Sequence, residues 1–293
     1  MEKKELLFSS EFATILIETN RLIDKAVEET VGFSSTDYCI LQQLFASEKE
    51  IELMAIRDFF LLKPNSVTTA VARLEKRGYL IKRPMAEDQR AFYVEITEAG
   101  IQVAEEASVA IREVLTKRTW KQDPKDNRIN DCMMIHASLF YKNNPSLQNI
   151  RLDDNYFVVP GWVNGLKIIQ QLWTHVVKNR VQLPLGAYRI LTYLIESGTP
   201  KRQTDIARYL FFDNSAISQF LKNLKEGGYI TSEISKNDKR STLIGVTKSG
   251  KHCQQTAFDS LSEATAHHFE SLSNTDIETL NTWHYEMWET LYL

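Results

Sequence analysis

The sequence predicts a mainly α-helical protein with small β-hairpins, built from two copies of one unit. Aligned with itself at an offset of 150 residues, the chain matches residues 51–100 to 201–250 without a gap, with eight of the fifty positions identical. Apolar residues recur at helical spacing through most of each half and alternate with polar ones near its middle. We therefore predict two domains, residues 1–146 and 147–293, joined near residues 142–155.

The helices of each copy follow from the apolar spacing. In the first copy this spacing covers residues 12–27, 38–45, 53–60 and 65–77, and the second copy repeats it. Asn65 and Ser215 are predicted N-caps of the fourth helix, because each side chain can accept a hydrogen bond from a first-turn amide. Gly78 and Gly228 are predicted to close that helix.

Alternating residues then predict a pair of strands in each copy. The alternation covers 92–96 and 242–246, and short strands at 80–82 and 230–232 are expected to pair with them. Thr97 and Thr247 are predicted to cap the helix that follows. Three of these helices followed by the β-hairpin make a winged helix-turn-helix unit, in which the hairpin is the wing.

Apolar surfaces outside the winged cores predict how the copies assemble. Residues 12–27 and 162–177 are amphipathic, and residues 133–141 and 283–292 are strongly apolar and aromatic. Because such surfaces are costly to expose, we expect them to pack together. The predicted architecture is two winged helix-turn-helix units packed as an intramolecular pseudo-dimer.

Composition narrows the class of protein. The 293 residues carry a net charge of −3 and a pI near 6.1, so any contact with nucleic acid must come from a local basic patch. The three cysteines, Cys39, Cys132 and Cys253, are odd in number and far apart, which argues against a disulfide framework. We find no signal-peptide pattern and no apolar run of membrane-spanning length, and we expect a cytoplasmic protein.

Three motifs in the first copy resemble the MarR family of bacterial transcription regulators. They are Ala-Arg-Leu-Glu-Lys-Arg-Gly-Tyr-Leu at 72–80, Glu-Asp-Gln-Arg-Ala at 87–91 and Ile-Thr-Glu-Ala-Gly at 96–100. In that family the first ends the recognition helix, the second lies in the wing and the third opens the next helix. The second copy keeps the wing and helix-opening motifs at 238–241 and 246–250, but lacks basic residues at the positions of Arg73 and Arg77.

The resemblance covers nearly the whole chain and implies a DNA-binding regulator. Members of the family are ordinarily homodimers of one winged unit, so a tandem copy implies that one chain mimics the dimer. The layout is similar to that of two-domain staphylococcal accessory regulator proteins. Two half-sites about one helical turn, or ~10 base pairs, apart are then expected in double-stranded DNA, as an imperfect inverted repeat.

Two sets of side chains are predicted to contact this DNA. The outward faces of the recognition helices carry Thr68, Thr69, Ala72 and Arg73 in the first copy, and Ser218, Gln219, Lys222 and Asn223 in the second. Arg77, at the end of the first recognition helix, is a further candidate. Such side chains suit base edges and phosphates. By resemblance, the wing arginines Arg90 and Arg240 reach the minor groove, held by Asp88 and Asp238. The alternatives are a solvated helix face and ordinary surface ion pairs.

Local charge predicts that the copies differ in DNA affinity. Residues 62–90 carry seven basic and three acidic side chains, a net +4, whereas residues 212–240 carry five and four, a net +1. Because neutralised phosphates release counterions, the first copy is expected to bind more tightly.

Other chemistry has weaker support. By resemblance, a small aromatic effector could bind in a cleft lined by Tyr38, Tyr188, Trp162, Trp173 and His175, although these residues could equally be core packing. Histidines at 252, 267, 268 and 284 lack the spacing of a metal site. Cys39 suits a core position better than a peroxide sensor. We expect no cofactor and no enzymatic activity, since phosphate loops, nucleophile elbows and paired carboxylates are missing.

Two functions from different classes are compatible with the sequence. One is a sequence-specific transcription regulator that reads DNA through both winged units. The other is a protein-interaction module, such as an antirepressor or heteromeric partner, that keeps the winged fold with little DNA affinity. The wing motifs in both copies favour the first function, and the low charge of the second copy favours the other.

Overall fold

The structure is a computed structural model that describes residues 8–47, 50–60, 62–86, 91–118, 135, 158–234, 242–270 and 272–292. The chain divides into two compact units. We call residues 19–171 the first winged unit, and residues 1–18 together with 172–293 the second winged unit. The predicted join at 142–155 and the apolar segment 133–141, apart from residue 135, lie outside the described residues, and the boundary at 146/147 stays a prediction.

The first winged unit follows the predicted order of elements. They are α1 (Ser10–Val31, residues 19–31 belonging here), α2 (Ser35–Ser47), β1 (Ile51–Glu52), α3 (Leu53–Phe59), α4 (Pro64–Lys76), β2 (Leu80–Pro84), β3 (Phe92–Ile96) and α5 (Glu98–Arg118). The hairpin β2/β3 is antiparallel, with Leu80 opposite Ile96. Strand β1 adds to the other side of β3, so the sheet has three strands. Two residues are too few for an alternating pattern, which is why sequence reasoning missed β1.

The second winged unit repeats this order. It contains α6 (Val158–Val181, from residue 172 onward), α7 (Leu185–Glu196), β4 (Lys201–Arg202), α8 (Gln203–Tyr209), α9 (Asn214–Glu226), β5 (Ile230–Ile234), β6 (Thr242–Val246), α10 (Lys248–Phe269) and α11 (Asn274–Tyr292). Its sheet has the same strand order, with β6 in the centre. Two winged helix-turn-helix units with small β-sheets are thus present, as predicted.

The helix ends correct one detail of the prediction. Asp213, not Ser215, caps α9, because its carboxylate accepts a hydrogen bond from the Ala216 amide at 2.7 Å. In the first unit Lys63 is the N-cap of α4, and Asn65 lies inside the helix. Both helices therefore begin two residues earlier than predicted, and only the cap of α9 has a side chain that accepts a hydrogen bond. The predicted caps Thr97 and Thr247 are confirmed, since their hydroxyls accept from the amides of glycines 100 and 250.

Candidate nucleic-acid interface

Helix α4 of the first winged unit separates an apolar face from a polar one. Val67, Val71 and Leu74 are buried, which fixes the rotation of the helix on the unit. Thr68 and Thr69 are exposed on the opposite side. A polar face of short side chains held by a buried stripe is the arrangement that a recognition helix needs in the major groove.

The structure gives Arg73 a different environment from the outward one predicted. Its Nη2 lies 2.7 Å from both carboxylate oxygens of Asp37, which is fully buried at the start of α2. Asp37 also accepts hydrogen bonds from the amide and hydroxyl of Ser34, each at 2.8 Å. A buried carboxylate needs such partners to remain in the core. Arg73 therefore fastens the recognition helix to α2, with 40% of its side chain still exposed.

Arg77 is turned toward the end of α1. It is exposed, and its Nη1 donates to the carbonyl of Val31 at 3.2 Å. The guanidinium also lies over Gly32, 3.7 Å from where a Cβ would stand. Sequence reasoning missed both arginine partners, because they lie 36 and 46 residues away and belong to no local pattern.

Helix α9 of the second winged unit presents a longer polar row. Ile217, Leu221 and Leu224 are buried, and the four predicted reading residues are exposed. Contacts along the surface join them to neighbours: Gln203 donates to Ser218 (3.1 Å), Gln219 donates to Asn223 (2.8 Å), and Lys222 lies 4.0 Å from Glu226. The row is polar, but the Glu226 carboxylate beside Lys222 reduces the net positive charge of the row.

In the second winged unit, an aromatic ring packed on a glycine takes the place of the ion pair between Arg73 and Asp37. Ala187 and Asn223 occupy the positions of Asp37 and Arg73 in the repeat. Instead, the Phe220 ring of α9 lies against Gly186 of α7, 2.4 Å from the place of a Cβ, and contacts Phe212 at a centroid distance of 5.2 Å. The second recognition helix is thus held by an aromatic ring over a glycine.

The wing tips fall outside the described residues, and with them Asp88, Arg90, Asp238 and Arg240. The strands that lead to the tips are described and differ in charge. On the first wing, Lys82 lies 4.0 Å above the Phe92 ring, and Arg83 pairs with Glu95 at 3.2 Å. The second wing has Ser232 and Glu233 at the positions of these two cations. The difference in charge therefore extends into the wings.

The structure describes all five residues proposed to line an effector cleft. Tyr38 and Trp162 are buried in the first unit, where the Tyr38 hydroxyl lies 2.8 Å from Ser108 Oγ. Tyr188 and Trp173 are buried in the second unit, and Tyr188 donates to the Phe8 carbonyl. His175 is exposed, beside Asn179. Four of the five side chains are thus buried, and the effector cleft stays a prediction.

The remaining reactive groups are also structural. Burial raises the pKa of the Cys39 thiol to about 12, so the thiol stays protonated and unreactive. His284 is buried, with Nδ1 2.5 Å from the Leu280 carbonyl and its ring against Phe12. Within the described ranges, His, Cys, Asp and Glu form no group of three that could hold a metal. In those same ranges we find no helix long and apolar enough to span a membrane.

Comparison with known proteins finds two regulator profiles that match the chain. Residues 181–241 match the profile of the MarR family, and residues 22–107 match that of the transcriptional regulator SarA/Rot. The chain thus contains a MarR-type and a SarA/Rot-type regulator domain. The two profiles fall on different winged units, in agreement with the tandem repeat.

Individual relatives are distant. The chain is 23% identical over 139 residues to the HTH-type transcriptional regulator SarZ of Staphylococcus haemolyticus, which covers 47% of this chain and 95% of that protein. It is 33% identical over 70 residues to MhqR of Bacillus subtilis, covering 24% of this chain and about half of that one (48%). A MarR-family regulator of Streptomyces coelicolor, solved in complex with DNA, aligns with a TM-score of 0.41 at 18% identity, over 45% of this chain and 88% of that one.

Proposed function

We propose that this regulator binds double-stranded DNA sequence-specifically through both winged units of one chain. The single observation that carries the proposal is the tandem repeat of a recognition helix whose apolar stripe is buried and whose polar face is exposed. One chain then supplies the two reading units that a homodimer would supply. Because the units are linked, the second binds at a high effective concentration.

The two units are proposed to read unequal half-sites of an imperfect inverted repeat. The exposed face of α4 carries threonines, whereas that of α9 carries serine, glutamine, lysine and asparagine, so each offers different donors to base edges. The positive charge at Lys82 and Arg83 favours tighter phosphate contacts by the first unit. By analogy with the wing motif, Arg90 and Arg240 are proposed to enter the minor groove.

A pull-down of fragmented genomic DNA at about 150 mM salt tests this function, since weak electrostatic binding is suppressed at that salt. We expect recovery of fragments that share an imperfect inverted repeat with half-sites about 10 base pairs apart. The matched control is a chain with Thr69→Glu and Gln219→Glu, which places an acid on each exposed recognition face. Wild-type recovery no better than that of the control would contradict sequence-specific binding.

Two acidic side chains favour the protein-interaction function for the second unit alone. Glu233 replaces an arginine on its wing, and Glu226 lies beside Lys222 on its recognition helix. If this unit serves protein contacts, bound fragments should share one half-site without a partner at fixed spacing.

A further inference from the structure

The second winged unit contains a cleft that the DNA-binding function leaves unused. Its volume is about 650 Å³, within the range of small-molecule sites. The end of α6 forms one wall through Arg180 and Val181, Tyr229 lies between α9 and β5, and the first turns of α10 close the other side. All of the residues that line the cleft belong to one compact unit.

Three of the side chains that line this cleft are basic, and none is acidic. Arg180 and Lys248 carry permanent charges, and His252 stands one turn after Lys248 on α10. All three are exposed. Among the ion pairs of the described residues, none involves Arg180 or Lys248, so no carboxylate of those residues forms an ion pair with either cation.

The first winged unit provides an internal comparison, because the repeat places different residues at the same positions. Thr30, Glu98 and Gln102 stand where the second unit has Arg180, Lys248 and His252. The first unit also has Arg77 lying over Gly32, whereas the second has Gly227 at the matching position. In the first winged unit the Arg77 side chain thus occupies this region. In the second winged unit cationic side chains line an open cleft there.

Part of the lining of the cleft is apolar. This part consists of Val181, the Tyr229 ring and the buried Cys253. The ring lies so close to Gly227 that a Cβ there would stand 2.6 Å from it, so glycine is required for this position of Tyr229. Burial raises the pKa of Cys253, which keeps the thiol neutral and makes it part of the apolar surface.

We propose that this cleft binds a small organic phosphate. A phosphate monoester carries nearly two negative charges at neutral pH, which matches the two permanent cations better than a carboxylate does. Arginine pairs with phosphate oxygens through its planar fork, and lysine contributes a point charge. The organic group lies on Val181 and Tyr229. This binding does not depend on the DNA-binding function, and its test uses no DNA.

Isothermal titration of the full chain with phenyl phosphate at about 150 mM salt tests the proposal. We expect one site per chain. Lys248→Glu, which imports the residue of the first unit, should weaken binding at least tenfold. Lys251→Glu makes the same charge change on the same helix, at an exposed residue outside the cleft, and should leave affinity within twofold. Thermal melting of both variants verifies that they fold.

Four results would overturn the proposal. Three are the lack of saturable heat with wild type, equal losses in the Lys248→Glu and Lys251→Glu variants, and equal affinity for benzoate, which carries one charge. Inorganic phosphate should bind more weakly than phenyl phosphate, because it leaves the apolar part of the lining uncovered. Equal affinity for these two phosphates would also contradict the site.

Discussion

The two winged units hold the same recognition helix in place by different means. In the first unit, the half-exposed Arg73 forms an ion pair with the buried Asp37. In the second unit, Phe220 packs on Gly186. The fold therefore specifies where the helix lies, while the contact that fastens it varies between copies. The copies also differ in charge, so a difference in DNA affinity is expected without any difference in fold.

The glycines that both copies share are expected to contribute most to the stability of each unit. A Cβ at Gly100 or Gly250 would stand 2.1 Å from the carbonyl oxygen of Tyr79 or Tyr229, a backbone atom that cannot move aside cheaply. Gly100→Ala and Gly250→Ala are each expected to destabilise their own unit by about 3 kcal/mol. Denaturant unfolding measures this, with Ala99→Ser and Ser249→Ala as controls at exposed neighbours. A loss in only one unit would contradict the equivalence of the copies.

Introducing the ion pair of the first unit into the second unit should sharpen the comparison of how the two recognition helices are fastened. Ala187→Asp buries a carboxylate opposite Asn223 in the second unit and is expected to cost about 3 kcal/mol. Adding Asn223→Arg supplies the missing partner and should recover at least half of that loss. A double-mutant cycle on the free energy of unfolding gives the coupling. Additive effects would mean that the ion pair needs more of the first unit than these two residues.

Removing the ion pair from the first unit should cost less. Asp37→Asn is expected to destabilise it by about 2 kcal/mol, because Arg73 is half exposed and regains water. Thr36→Ser, at the preceding and less buried residue, is the control for change at the start of α2. The rotation of α4 loses one restraint, so DNA affinity should fall with stability. Unchanged DNA affinity would show that Arg73 need not be fixed for recognition.

A pH effect is expected in the second unit. Partial burial at the end of α7, with the Glu11 carboxylate nearby, raises the pKa of Glu196 to about 7, although hydrogen bonds from Ser10 oppose the rise. A folded-state pKa above the unfolded value means that this unit loses stability as the pH rises from about 4.5 to about 7.

The change that tests this is Glu196→Gln. It should remove the slope, and the effect should be modest because the side chain is partly exposed. Melting temperatures at pH 5 and pH 8 measure the slope. The first unit has Ala46 at this position, so an equal slope in that unit would contradict the assignment.

Sequence reasoning predicted the parts of the molecule that depend on local pattern. The buried stripe of Val67, Val71 and Leu74, the closing glycines 78 and 228 and the β-hairpins all follow from spacing within a few residues. The partners of Arg73 and Arg77 could not be found this way, because burial of Asp37 and the end of α1 depend on tertiary packing. The cleft is equally nonlocal, since it joins residues near 180, 229 and 250.

We propose that two unequal units of one chain read DNA. An equilibrium titration of the recovered DNA site with the Arg90→Ala and Arg240→Ala variants tests this proposal. We expect both variants to lose affinity, Arg90→Ala by about tenfold or more and Arg240→Ala by clearly less. Equal losses would contradict unequal units, and unchanged affinity in both variants would contradict reading of DNA through the wings.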